Sequence, residues 1–161
     1  MKVKMISIDA STSASGVSEY INGKYRSSIV LKTDPKIKGD EKLNQMIKLI
    51  FQYLSQKKLE IIVVETIVPT RNAMGTRMLQ ELTGSIRGYC IYHDIDYYSL
   101  RPTEWRKAVV DSIGIKPKGR KRADQKEWAL DIVNNKLNIK TDSDDEAESI
   151  LLGLGYINLF K

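Results

Sequence analysis

Val3-Lys4-Met5-Ile6-Ser7-Ile8-Asp9 opens the chain as an alternating apolar run that ends on a carboxylate. Alternation at a period of two is the pattern of a strand with one buried face. Two more short apolar segments follow, at about 15–21 and 24–32, and Asn22-Gly23 between them is a strong signal for a two-residue hairpin. Ser13, Ser15 and Gly16 suit the turn before it. A helix fits 40–57, with Leu43, Ile47, Ile50, Phe51 and Leu54 on one stripe. Ile61-Ile62-Val63-Val64-Glu65 is nearly all apolar, as a central parallel strand is, and it too ends on an acid.

Beyond Pro69 the pattern predicts a helix over about 72–92, a strand over 95–100, a short helix from Thr103 to Ser112, a helix over roughly 122–136 and a last helix from about 144. The last helix carries Ala147, Ile150, Leu151, Leu154 and Ile157/Asn158 on its inner stripe, with Asp145 and Glu148 near the edge of that stripe. This order predicts an α/β fold: a mixed five-stranded sheet, its first three strands antiparallel, flanked by helices in one domain over 1–161. Neighbouring first and fourth strands would put Asp9 beside Glu65.

Each acid has an ordinary reading by itself. Acids close many strands, and Ser143-Asp144-Asp145-Glu146 reads as a capping box with Ser143 as N-cap and Glu146 at N3. Glu65 is less easily dismissed, because Val63, Val64, Ile67 and Val68 flank it and a buried carboxylate needs a partner. The ordered recurrence of strand-acid, strand-acid and acid-helix brings Asp9, Glu65, Asp145 and Glu148 toward one sheet edge. At ~4 Å each like-charged pair would repel by roughly 4 kcal/mol at a protein-like dielectric. Bound cations would relieve that repulsion, and oxygen-only ligands at this charge density suit Mg²⁺ or Mn²⁺. Such an arrangement suits two-metal phosphodiester hydrolysis.

Charge points to a polyanionic substrate. Residues 101–126 hold nine Lys/Arg against Glu104, Asp111 and Asp124, a local excess of +6 that equals the formal charge of the whole chain. The densest run is Lys116-Pro117-Lys118-Gly119-Arg120-Lys121-Arg122, where Pro and Gly predict a solvent-facing mobile loop. Arg71, Arg106, Lys107, Lys116, Lys118, Arg120, Lys121, Arg122 and Lys126 are the candidate nucleic-acid contacts.

Other features are bland. The lone Cys90 excludes an internal disulfide and a Cys-based zinc site, and the lone His93 near a helix C-terminus needs no catalytic explanation. With no secretory signal and no run of membrane-spanning length, the expected location is cytoplasmic. Gly84 and Gly88, four apart on the second helix, predict close approach by a neighbouring backbone.

Taken in order, certain segments resemble the RuvC family of Holliday-junction resolvases, within the RNase H-like superfamily. These are Ile6-Ser7-Ile8-Asp9 with Ser11–Gly16; Val64-Glu65; Gly84-Ser85-Ile86-Arg87-Gly88; Pro102 with Trp105-Arg106-Lys107; Ala123-Asp124-Gln125-Lys126; and Asp145-Glu146-Ala147-Glu148. The Pro-Thr-Glu-Trp-Arg-Lys segment and the small size look more like phage-type members, which would act in a bacterial host cell.

The resemblance implies two Mg²⁺ ions, with Mn²⁺ able to substitute, on Asp9, Glu65, Asp145 and Glu148. It also implies a homodimer that nicks opposing strands of a four-way junction, with Arg106 and Lys126 near the scissile phosphate. Asp144, four residues before Glu148, could take the place of Asp145, and Asp142 also stays open. Family enzymes of bacteria carry a base-stacking aromatic three residues after the strand glutamate, where this chain has Val68. Relaxed cleavage extending to other branched DNA, forks included, is the expectation. The alternatives are a non-catalytic junction- or RNA-binding protein, an RNase H-like nuclease acting on another nucleic acid, and an ATP-handling protein suggested by Ile8-Asp9-Ala10-Ser11-Thr12-Ser13.

Overall fold

Strand β1 (Lys4–Asp9) lies at the centre of a sheet ordered β3-β2-β1-β4-β5 in the computed structural model, which describes residues 2–160. β2 (Ala14–Ile21) pairs antiparallel with β1 and with β3 (Lys24–Lys32), while β4 (Ile61–Glu65) runs parallel to β1 and to β5 (Asp96–Leu100). The mixed, five-stranded α/β architecture is the one expected. The β2–β3 hairpin turns on Asn22 (φ 52°) and Gly23 (φ 75°), the left-handed pair that a two-residue turn between twisted strands requires. Gly16 lies inside β2 rather than in the turn before it.

Helices cover both faces, and the two-residue period of the strands decides which side chain meets which layer. Ile6, Ile8, Ile62 and Val64 pack with Leu43, Met46, Ile50 and Leu54 of α1 (Gly39–Ser55) and with Met78, Leu82, Ile86 and Cys90 of α2 (Ala73–Tyr92). Met5 and Val63 face the other way. They join Trp105 and Val109 of α3 (Pro102–Ile113), Trp128 and Ala129 of α4 (Arg122–Asp131) and the inner residues of α5 (Asp144–Phe160). Asp9 and Glu65 share the odd-numbered phase of Met5 and Val63, so the alternation that buries the core also turns both acids toward α5.

Helix α5 differs from the one-sided stripe expected of it. Ala147, Ser149, Ile150, Leu151, Leu152, Gly153, Gly155 and Tyr156 are all buried, because the sheet covers one side of the helix and α3 and α4 cover the others. Small residues permit this depth: a Cβ on Gly153 would collide with Tyr20, and one on Gly155 with Trp105.

Two further expectations need correction, and a third is met in extent. A Cβ on Gly84 or Gly88 would meet nothing within 4 Å, because the buried stripe of α2 runs through Met78, Leu82, Ile86 and Cys90 and leaves those glycines on its open side. The helix expected over 122–136 spans those residues, and its last turn, Ile132–Lys136, is π-helical: there Asn134 bonds Leu130 O and also both backbone groups of Thr141. The basic segment 114–121 is irregular and solvent-facing, yet tied down: Gln125 donates to Gly119 O (2.8 Å), Trp128 to Ile115 O (2.9 Å) and Lys118 to Glu127 (3.1 Å).

Candidate active site

Two carboxylates leave the sheet at the same level. Ile8 is the register partner of Val64, so the next residues, Asp9 and Glu65, end neighbouring parallel strands. Asp9 is also the register partner of Gly16 on β2, and the backbone of Asp145 rests on Gly16. The first turn of α5 is thereby seated at the end of β1, bringing Asp145 and, one turn on, Glu148 to the same edge.

A polar seam fixes the register of α5 on the sheet. Ser7 donates to Ser149 O (2.7 Å), Ser18 and Ser149 share a hydroxyl hydrogen bond (2.6 Å), Ser149 donates to Glu146 O (2.7 Å) and Tyr20 to Ile150 O (2.5 Å). Ser7, Ser18 and Ser149 are fully buried, so sliding α5 would strand their hydroxyls. The capping box forms only in part. Glu146 N bonds Ser143 Oγ (3.2 Å), but the Glu146 carboxylate accepts from Thr141 and Ser28 (both 2.5 Å), lashing the helix start to β3.

Electrostatics identify the members of the cluster. Burial pushes the Asp9 carboxyl well above the usual range, and the charges of Glu148, Glu65 and Asp145 push it further. A side-chain hydrogen bond to Glu148, which only protonated Asp9 can donate, adds to the rise. Burial also raises Glu65, and Glu148 adds to that; the Trp105 indole and the charges of Arg106 and Arg122 oppose it. Burial and Asp144 raise Asp145.

Asp144 is turned elsewhere. Burial works to raise it, but its ion pair with Lys126 outweighs that and leaves it below the usual range. Asp142 is exposed. The acids acting on Asp9 are thus the three that spacing singled out, and Asp144 serves as the counter-ion of Lys126.

The basic candidates divide. Arg106 enters the cluster, 3.2 Å from Glu148 Oε1 and 3.9 Å from Glu65 Oε2, and Lys126 and Arg122 flank it. Lys116, Arg120 and Lys121 are exposed, Lys118 and Lys107 are paired with Glu127 and Asp111, and Arg71 is exposed on the loop that leaves the Glu65 end of β4. His93 lies at the far end of α2, tilted against the Tyr89 ring and edge-on to Tyr92.

Sequence reasoning missed the partner of Glu65: Trp105 donates its indole N–H to Glu65 Oε2 at 2.6 Å. In the sequence Trp105 stands out only as part of the Pro102–Lys107 motif. The strand-interior glycine at 16 was the available signal for the seat of α5.

The donor set suits a hard divalent cation. It is all carboxylate oxygen, and burial and mutual repulsion leave it short of positive charge. Among the described residues, however, no three acidic, His or Cys side chains are arranged to close on one ion, and Arg106 lies between Glu65 and Glu148.

No protein-family model matches the sequence, and no curated protein does. Solved structures do. RuvC from T. thermophilus in complex with a Holliday junction substrate aligns over 97% of this chain and 93% of its own, with a TM-score of 0.72 and 14% identity. A second Thermus thermophilus RuvC structure gives 0.71 and 16% over 97% and 94% of the two chains. The yeast mitochondrial Holliday junction resolvase Ydc2 gives 0.64 and 12% over 97% and 78%. At such identities the likeness establishes the fold, which is RuvC-like and hence RNase H-like.

Proposed function

We propose that this chain is a divalent-metal-dependent endonuclease that cuts four-way DNA junctions, and other branched DNA such as forks, with relaxed sequence preference. The observation that carries this reading is the meeting of Asp9, Glu65, Asp145 and Glu148, from three separate elements, at one sheet edge. They do so in a fold shared with a resolvase whose solved complex contains a Holliday junction substrate.

Two Mg²⁺ ions (or Mn²⁺) held by these four carboxylates would supply an activated water and charge stabilisation for the departing 3′ oxygen. The rest falls to the chain's own side chains. Trp105 fixes the orientation of Glu65, and Arg122 stands beside the cluster to meet the phosphate, while Lys126 is held there by Asp144. The exposed cations of 116–122, with Arg71 and Lys107, track the backbone. Val68, 58% exposed where a stacking ring would serve selectivity, offers no platform for a base, which is why sequence preference is relaxed. In a homodimer two such sites nick opposing strands. The Pro102–Lys107 segment favours a phage-type enzyme acting in the bacterial cytoplasm.

The test is to incubate purified protein with a synthetic four-way junction, with and without Mg²⁺, and to map nicks on each strand beside a linear duplex and an RNA–DNA hybrid. Mg²⁺-dependent nicks at the branch point are expected. Binding without nicking would favour a non-catalytic junction binder, and preferential cutting of the hybrid would move the substrate to RNA.

A further inference from the structure

Arg106 has the geometry of a resident counter-ion. Its neighbour Trp105 is 1% exposed and cannot shift, because Gly155 of α5 packs directly against its backbone. The guanidinium lies over the Trp105 ring, 4.6 Å from ring centroid to Cζ, and one nitrogen faces both Glu148 Oε1 and Glu65 Oε2. Those oxygens belong to two elements, so a single cationic group ties α5 to the end of β4. The Nε–H of Arg106 is buried and has no acceptor. A guanidinium presents its donors as a fork that matches two oxygens of a phosphate. The carboxylates engage one side of that fork and leave a buried donor over.

We propose that Arg106 is a latch on the acid cluster: its guanidinium competes with divalent cations for Glu65 and Glu148 until a backbone phosphate draws it away. This rests on the metal reading above. A positive group beside those oxygens repels any cation approaching them. A phosphate arriving at the edge offers the unused Nε–H an acceptor and a second oxygen to the neighbouring nitrogen. As the guanidinium swings to it, Glu65 and Glu148 lose their counter-ion. DNA and metal therefore bind with positive coupling, and the coupling is reciprocal. The latch suppresses metal loading, and with it off-target hydrolysis, in protein without substrate.

The test is calorimetric titration of the full chain, free of DNA, with Mn²⁺. Arg106→Gln is expected to bind Mn²⁺ about tenfold tighter than wild type or better, about 1.4 kcal/mol. Arg106→Lys, which keeps the charge, should stay within about threefold, and Asp9→Asn should abolish binding in either background. A purely structural Arg106 predicts the opposite sign, because its removal would loosen the cluster and weaken binding. Asp9-dependent binding that is equal or weaker in Arg106→Gln overturns the latch and leaves the metal reading standing. If no variant binds Mn²⁺ in an Asp9-dependent way, the metal reading falls and the latch with it. Should Arg106→Gln fail to fold, wild type decides by NMR. Mg²⁺ must then shift the Arg106 Nε–H and Trp105 indole N–H resonances together, and an unmoved Arg106 signal during Asp9-dependent binding sinks the latch.

Discussion

Gly16 of β2 lies directly beneath the backbone of Asp145, so closely that a Cβ on Gly16 would overlap the Asp145 carbonyl. Because Gly16 is also the register partner of Asp9, this contact sets how far the acids of α5 stand from the end of β1.

Gly16→Ala must push the first turn of α5 off the sheet. Overpacking at such a contact costs about 1–3 kcal/mol. A misplacement near 1 Å in the reacting groups costs rate by about 100-fold. Thermal unfolding and junction-nicking rates check both, and near-normal nicking would show that α5 is seated by other contacts.

Asp9→Asn should abolish cutting and leave junction binding nearly intact, since it removes a carboxylate and no phosphate partner. It should also stabilise the protein in chelator at neutral pH. The folded state holds the Asp9 proton more tightly than the unfolded chain does, so the stability from this group is complete below the ordinary carboxylate range. It is lost as pH rises through the raised value. The melting-temperature advantage of the variant over wild type should therefore be clear at pH 7.5 and shrink toward pH 4. An advantage that does not change with pH would contradict the repulsion inferred at Asp9.

Asp144 behaves with the opposite sign. Its folded value is lowered, so the Lys126 pair contributes above the ordinary carboxylate range and is lost as pH falls through that lowered value, on the acid side of about pH 4. At neutral pH Asp144→Asn releases Lys126 to meet phosphate. Junction affinity should rise by up to about fivefold, the upper worth of a partly exposed pair. The slope of log affinity against log salt should steepen by about 0.9, one added phosphate contact. Loss of nicking in this variant with unchanged binding would instead give Asp144 a place among the acids proposed to hold metal.

Replacing Lys118, Arg120, Lys121 and Arg122 together with Ala tests the basic segment. If five to eight phosphates are neutralised in all, the wild-type slope is about −4.5 to −7, and losing up to four contacts should flatten it by as much as about 3.6. Lys118 already pairs with Glu127, so its share should be the smallest. Salt-dependent binding to a labelled junction decides it, and an unchanged slope would mean the segment only solubilises.

Much of this protein is legible from periodicity because its elements are local and regular. Alternation in Val3–Asp9, the Asn22-Gly23 turn and the apolar run Ile61–Val64 each state a strand in their own chemistry, and the order β3-β2-β1 follows from short connections, whereas β4 reaches β1 and β5 reaches β4 through helical crossovers. The same two-residue period that buries Met5 and Val63 turns Asp9 and Glu65 toward one layer. For α5 the reading is less complete. A helix packed on several sides has no single apolar stripe, and Ser149, Gly153 and Gly155 are buried for reasons that lie in Ser18, Tyr20 and Trp105. Gly84 and Gly88 show the converse: a spacing that suggests close packing, on a face where the fold brings nothing near.

The sequence by itself determined the order of elements, the acids that end the strands and the concentration of positive charge over 101–126, since all three are properties of neighbours along the chain. Only the tertiary structure decided that Asp145 rather than Asp144 acts on Asp9, that Trp105 holds Glu65, and that Arg106 stands between two of the acids. Those relations depend on which side chains meet across 40 or more residues of sequence, as in Trp105 to Glu65 (separation 40) and Ser7 to Ser149 (separation 142). The register of one buried helix on the sheet sets them, and no local pattern encodes that register.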